Sequence, residues 1–148
     1  MSDDEVLRRL KRVILALVDG KCQDFAAMFA EGGAHTYLTR GRELDGPALG
    51  RGMDQIAKAA HTWLGLTARR RLLDQSISVL PDALDPSSEG LGAFRVAHVV
   101  LANFTFEAVL ANCPDVRVVV RVQNVVHLTQ MLLLAFVQSD QTIVVRKR

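Results

Sequence analysis

The residues most able to do chemistry in this sequence are a few scattered acid–base groups. Asp24, His35, Tyr37, Asp74 and His98 are side chains that could act as a general acid or base. No His-x-x-x-His pair or carboxylate pair stands out among them. A structural role, at a helix start or a strand edge, explains each of them more simply. We therefore predict no catalytic residue and no enzymatic activity.

Residue spacing does not indicate a metal or cofactor site. The four histidines do not stand at the separations of metal ligands, and no glycine-rich loop of the phosphate-cradling type occurs. Cys22 and Cys113 are far apart and lack the spacing of metal ligands. We expect them to be reduced, buried thiols of an intracellular protein rather than a disulfide. We predict neither a metal site nor a cofactor.

The composition fits one domain over residues 1–148, with 49% apolar and only 5% aromatic residues. The core must therefore consist mainly of Val, Leu, Ala and Ile. The first residues after Met1 are acidic, unlike a secretory signal. The longest apolar run, Leu128 to Val137, is shorter than the roughly 20 residues that span a bilayer. We expect no membrane insertion.

Basic residues cluster at three places, and the net charge is +2. The clusters are Arg8 to Arg12, Arg69 to Arg71, and Arg146 to Arg148. They can be explained as solvated ends of helices and strands. If folding gathers them on one side, they could contact RNA phosphates in a salt-sensitive way. Arg69, Arg70 and Arg71 are the candidate RNA contacts.

Hydrophobic periodicity predicts helices first and strands afterwards. A helix starts at Asp3, carries an apolar stripe of 3.6-residue period, and ends at Asp19-Gly20. Further helices are predicted over Gln23 to Ala30 and Met53 to Leu64. Strands are predicted at the following places: His35 to Thr39, from Arg69 onward, Phe94 to Leu110, Val116 to Val137, and Thr142 to Val145 after a turn at Ser139-Asp140. This order predicts an α+β fold with a bent antiparallel sheet and three N-terminal helices on one face.

The two long strand regions are apolar on both alternating faces. Three helices can cover one face, so the other face requires a partner, since monomers seldom expose large apolar patches. The alternative is a β-bulge that changes the register and places these residues in a single core.

The order of elements and several residues resemble the nuclear transport factor 2-like fold family. The opening helix, Asp19-Gly20-Lys21, the short helix and the strand at Thr36-Tyr37-Leu38 are similar to the family's beginning. Gly52 followed by Ile56, and the segment Thr129 to Leu134, resemble its third helix and a late strand of its transport members. The resemblance implies a cone-shaped fold. It also implies pairing through the sheet face by these residues: His98, Val100, His127, Thr129, Met131 and Leu133.

Within that family the long stretch between Phe104 and Val126 looks most like the extended hairpin of the small subunit of the mRNA export receptor. The leading hypothesis is therefore a non-catalytic subunit that pairs with a related domain of a larger mRNA export receptor subunit. Such a protein would contact nuclear pore proteins and shuttle between the nucleus, the nuclear envelope and the cytoplasm. Two alternatives stay open. One is a small isomerase or dehydratase of the same fold acting on a hydrophobic substrate, and the other is a homodimeric binding module.

Overall fold

The fold opens with the amphipathic helix that the sequence predicts. The computed structural model describes residues 3–40, 48–80 and 96–146. Helix α1 spans Asp3–Val18, with three acidic residues in its first turn, where they suit the helix dipole. Its apolar stripe, from Val6 to Val18, is buried. Gly20 follows with φ of +73°, a left-handed conformation that glycine adopts without steric cost.

The second helix is shorter than predicted, because strand pairing takes over its last residues. Helix α2 spans Cys22–Ala27, and strand β1 begins at Phe29 rather than at His35. Gly33 allows this early entry: a Cβ there would lie 2.9 Å from the carbonyl oxygens of Ala30 and Leu134. Only glycine fits so close an approach of two backbones.

Apart from a short strand at Ala48–Arg51, which was not predicted, the remaining elements follow the predicted order. They are β1 (Phe29–Arg40), β2 (Ala48–Arg51), α3 (Gly52–Leu64), β3 (Thr67–Val79), β4 (Val96–Leu110), β5 (Cys113–Thr129) and β6 (Leu134–Arg146). The described strands form one sheet in the order β2-β1-β6-β5-β4-β3. The α+β prediction is confirmed. One detail differs, because β1 and β6 run parallel while the other neighbours are antiparallel. The predicted start of β4 at Phe94 lies outside the described residues.

The predicted strand Val116 to Val137 is wrong, because the chain reverses within it. β5 ends at Thr129, where the backbone N–H of Leu132 donates to the Thr129 carbonyl over 2.9 Å. Leu132 has φ of +62°. The predicted turn at Ser139-Asp140 is wrong too, since both residues lie inside β6. A turn without Gly, Pro, Asn or Asp gives no strong local signal, whereas Ser-Asp gives a misleading one.

The sheet has an inner face packed on the helices and an outer face on the opposite side. Inner residues include the fully or almost fully buried Val100, Phe104, Phe106, Val118 and Val122. The helices add Leu10, Ile14, Phe25, Ile56 and Trp63 to the same core. Each such side chain contributes about 1.5–3 kcal/mol by leaving water. No helix within the described residues is long and apolar enough to cross a membrane.

Candidate functional site

A fully buried histidine, His35, lies inside the core on strand β1. The rings of Phe25 and His35 form a T-shaped contact with centroids 5.3 Å apart, and the centroid of the Phe29 ring lies 6.3 Å from that of His35. Helix α2 and the first residues of β1 thus hold the imidazole in apolar surroundings. Burial lowers the pKa of His35 to about 4, because the imidazolium would lose its hydration there. The ring is therefore neutral at neutral pH.

His35 is oriented by a chain of polar side chains across the inner face. Its Nε2 lies 2.9 Å from Ser139 Oγ, which donates to Asn124 Oδ1. Asn124 Nδ2 donates in turn to the carbonyl oxygen of Ala102 over 2.7 Å. Strand register explains the line, since Ala102 is opposite Asn124 and Asn124 is opposite Ser139.

This chain of bonds fixes the tautomer of His35. The Ala102 carbonyl can only accept, so the Asn124 amide presents Nδ2 to it and Oδ1 to Ser139. Ser139 has one hydroxyl proton and gives it to Asn124. Its oxygen must therefore accept a proton from His35 Nε2–H. The lone pair of the neutral ring then lies on Nδ1.

Gln141 extends the same polar strip along β6. It is 3% exposed, and it lies two residues beyond Ser139 on the inner face. Asn124, Ser139 and Gln141 were not predicted as site residues. The alternation along β6 could have indicated Ser139 and Gln141, because they lie on the same face of the strand as apolar Val137. The incorrect prediction of a turn at Ser139-Asp140 prevented this interpretation.

The other predicted acid–base residues do not join His35. Asp24 is exposed on α2, Asp74 is exposed on β3, and His98 is half-buried on β4. Tyr37 lies beside Ser139 in the register of β1 and β6, but its side chain falls outside the described residues. Among the described residues no group of three or more His, Cys, Asp and Glu side chains could hold a metal ion.

The three arginines predicted as RNA contacts point to three different places. Arg70 turns inward and donates to the carbonyl oxygens of Val18, Leu64 and Thr67 over 2.8–2.9 Å. Arg71 pairs with Glu107, its Nε lying 2.7 Å from Oε1. Arg69 is exposed. The prediction of a common RNA surface is corrected for Arg70, because its guanidinium is committed to the carbonyl ends of α1 and α3.

The six residues predicted as a partner interface do not share one face. Val100 is on the inner face and fully buried. His127 is half-buried on the outer face, and its ring stacks on Phe136 with centroids 5.9 Å apart. Met131 is 76% exposed in the turn after β5. The turn also contains Leu133, whose backbone N–H donates to the Thr129 hydroxyl. The grouping is corrected, because it assumed one unbroken strand from Val116 to Val137.

The comparisons with known proteins identify the fold. No family model matches the chain, and no curated protein matches it. A Bacillus subtilis protein named as a candidate isomerase superposes with a TM-score of 0.64 at 10% identity, covering 95% of this chain and 89% of its own. The nuclear transport factor 2-like cone is therefore the fold of this chain.

Two further solved structures share this nuclear transport factor 2-like fold. A phenazine biosynthesis-related protein from Pseudomonas aeruginosa matches with a TM-score of 0.60 at 10% identity, covering 93% of this chain and 81% of its own. A ketosteroid isomerase-like protein from Erwinia carotovora atroseptica matches at 0.54 and 9%, covering 94% and 93%.

The prediction that the chain has no enzymatic activity is corrected by these similarities. The similar structures are named after isomerases and a biosynthetic function, and none of those described here is named for mRNA export. At these identities the likeness establishes the fold alone. What this chain itself does has to be argued from its own inner face.

Proposed function

We propose that the chain is a small isomerase or dehydratase that acts on a hydrophobic carbonyl compound. The observation that carries this proposal is the hydrogen-bonded chain His35–Ser139–Asn124 inside a largely apolar core. It orients a neutral imidazole with its lone pair on Nδ1. The names of the similar candidate isomerase and ketosteroid isomerase-like protein support the same reaction class.

The reaction begins with removal of a proton from the carbon next to the substrate carbonyl. His35 Nδ1 takes that proton, and the electron pair of the C–H bond moves into the enolate. In an isomerase the proton returns to a different carbon. In a dehydratase a hydroxyl group on the β-carbon leaves with a proton as water. Ser139 and Asn124 act as positioning residues, because they hold the ring through Nε2 rather than meeting the substrate.

The low pKa of His35 narrows the substrate class. A base whose conjugate acid has a pKa of about 4 is weak at neutral pH, so an ordinary ketone would react slowly. Conjugation that stabilises the enolate makes the C–H bond more acidic and matches it to this base. We therefore propose hydrophobic β,γ-unsaturated cyclic ketones as the substrates, because their enolates are conjugated with the C=C bond.

Deuterium exchange tests the proposal without requiring complete turnover. The protein is incubated in D2O with a panel of such ketones, and exchange at the α-carbon is followed by NMR. We expect exchange with the wild-type protein and a loss of at least a hundredfold in His35→Gln, whose amide can still donate to Ser139. His61→Gln, on the exposed side of α3, is the matched control. Equal exchange in His35→Gln and wild type would reject His35 as the base.

A second proposal concerns pairing through the outer face. Val99, His127 and Phe136 are neighbours across β4, β5 and β6, and Leu101 and Val125 adjoin them. Val99 is buried, and the other four side chains are partly exposed. We propose that this group pairs with another domain of the same fold. The sequence resemblance makes a larger mRNA export receptor subunit the proposed partner, with the nuclear location that this implies. Self-pairing is the alternative.

Light scattering after size exclusion, alone and after co-expression with such a subunit, tests this second proposal. Val125→Glu should abolish pairing, because it would bury an unpaired charge. Gln123→Glu, on the same strand and face, is the control. A monomer that ignores the larger subunit would reject the pairing, and equal-subunit dimers would indicate self-pairing.

A further inference from the structure

A cleft lined by arginines lies at one end of the outer face. Arg69, Arg117 and Arg146 line it together with Glu107 and Val109, and its volume is about 630 Å³. Such a volume is within the range of small-molecule sites. The cleft is separate from the His35 site. Arg117 and Arg146 lie seven residues along their strands from Asn124 and Ser139, roughly 23 Å away and on the opposite face.

Strand register forces two of these arginines together. Arg117 on β5 is directly opposite Arg146 on β6, and both side chains are exposed. Like charges directly opposite one another destabilise a sheet. Within the described part of the chain neither residue has a carboxylate partner. The arrangement therefore costs stability when nothing negative lies between the two guanidinium groups.

A β-bulge brings the third arginine to the cleft. The pairing of β3 with β4 is interrupted between Ala68 and Arg71, and Arg69 has φ of +53°. This left-handed conformation is costly for a residue with a Cβ. It separates the directions of consecutive side chains, so that Arg70 reaches the helix ends while Arg69 reaches the cleft. Bulges of this kind re-aim side chains near functional sites.

The carboxylate of the cleft does not neutralise these arginines. Glu107 is engaged by Arg71, which lies outside the cleft lining. Within the described residues, Arg69, Arg117 and Arg146 therefore have no carboxylate paired with them in the cleft. A guanidinium group offers paired N–H donors that match the two oxygens of a phosphate or a carboxylate.

We propose that this cleft binds a small molecule carrying at least two negative charges on phosphate or carboxylate groups. The bound anion lies between Arg117 and Arg146 and is reached by Arg69. Val109 and the methylene stems of the arginines contact its carbon skeleton. Binding removes the repulsion across β5 and β6, so the ligand also stabilises this end of the sheet.

Calorimetric titration with pyrophosphate and, separately, with citrate tests the proposal and distinguishes phosphate from carboxylate ligands. We expect saturable binding of at least one of them, weakened at least tenfold in Arg117→Gln and Arg146→Gln. Arg121→Gln is the matched control, because it makes the same change on the same face of β5 outside the cleft. Its affinity should stay within twofold of wild type.

Thermal unfolding supplies a second readout that does not depend on detecting heat of binding. Without ligand, Arg117→Gln should melt at a higher temperature than wild type, because the like-charge pair is gone. Pyrophosphate or citrate should raise the melting temperature of wild type and Arg121→Gln, and should raise that of Arg117→Gln much less. No binding of either anion up to 10 mM, or an equal loss in Arg121→Gln, would overturn the proposal.

A single-stranded RNA oligonucleotide forms the last arm of the experiment. RNA that binds far more tightly than either small anion, and loses affinity equally in Arg12→Gln and Arg117→Gln, would indicate a diffuse nucleic-acid surface instead. Arg12 lies on α1, outside the cleft. RNA binding that competes with citrate or pyrophosphate at Arg117 alone would support the cleft as the anion site.

Discussion

Alternating residues of β5 and β6 form the inner and outer faces of the sheet. Polar side chains on the two faces differ in burial and in hydrogen bonding. On the inner face Asn124 and Ser139 are almost fully buried, and each is held by defined hydrogen bonds. On the outer face Gln123 and Gln138, one position before each, are exposed. Adjacent residues therefore contribute very differently to stability, because an unsatisfied polar group is costly only where water cannot reach it.

Removal of the inner amide should give the largest effect on folding. Asn124→Ala deprives the Ala102 carbonyl and the Ser139 hydroxyl of their partners. We expect the free energy of unfolding to fall by about 2–4 kcal/mol. Gln123→Ala, the adjacent outer residue, should change it by less than about 0.5 kcal/mol. Urea unfolding of both variants measures the contrast, and equal losses would show that the two faces do not differ as described.

The protonation of His35 should produce the next largest effect. The pKa is about 4 in the folded chain and close to the usual 6.5 when unfolded, so the unfolded state binds more protons between these values. The stability contributed by the neutral ring is complete above about pH 6.5 and is lost as the pH falls towards 4. The change amounts to about 3 kcal/mol.

Denaturant unfolding from pH 4 to pH 7.5 measures this effect as the difference between wild type and His35→Gln. His127, whose pKa is also lowered by partial burial, is present in both proteins and cancels. His61→Gln, which removes an exposed histidine outside the core, is the control variant. A wild-type curve parallel to that of His35→Gln would mean that the ring is not held neutral by burial.

The sequence predicted the framework better than the site for a physical reason. The stripe of α1 and the alternation in β4 are repeated signals of burial, so single errors do not obscure them. The inner polar strip joins Asn124 on β5 to Ser139 on β6. The sequence-based prediction missed the turn at Thr129 to Leu133 that separates these two strands. Ser139 was predicted as a turn residue, so the face that it shares with Asn124 was not recognised. Val100 was assigned to the partner interface with the family resemblance, whereas its side chain is fully buried on the inner face.

The smallest expected difference in unfolding free energy is between substitutions of the neighbouring residues Arg70 and Arg71 at the bulge in β3. Arg70→Gln removes charge-assisted bonds to the carbonyl ends of α1 and α3 and should cost about 2 kcal/mol. Arg71→Gln breaks a largely exposed ion pair with Glu107 and should cost less than about 1 kcal/mol. Raising the salt concentration should reduce the Arg71 effect, because exposed pairs are screened, and should leave most of the Arg70 effect. Urea unfolding at two salt concentrations tests both statements, and an Arg70→Gln cost that disappears in salt would place its guanidinium in solvent rather than at the helix ends.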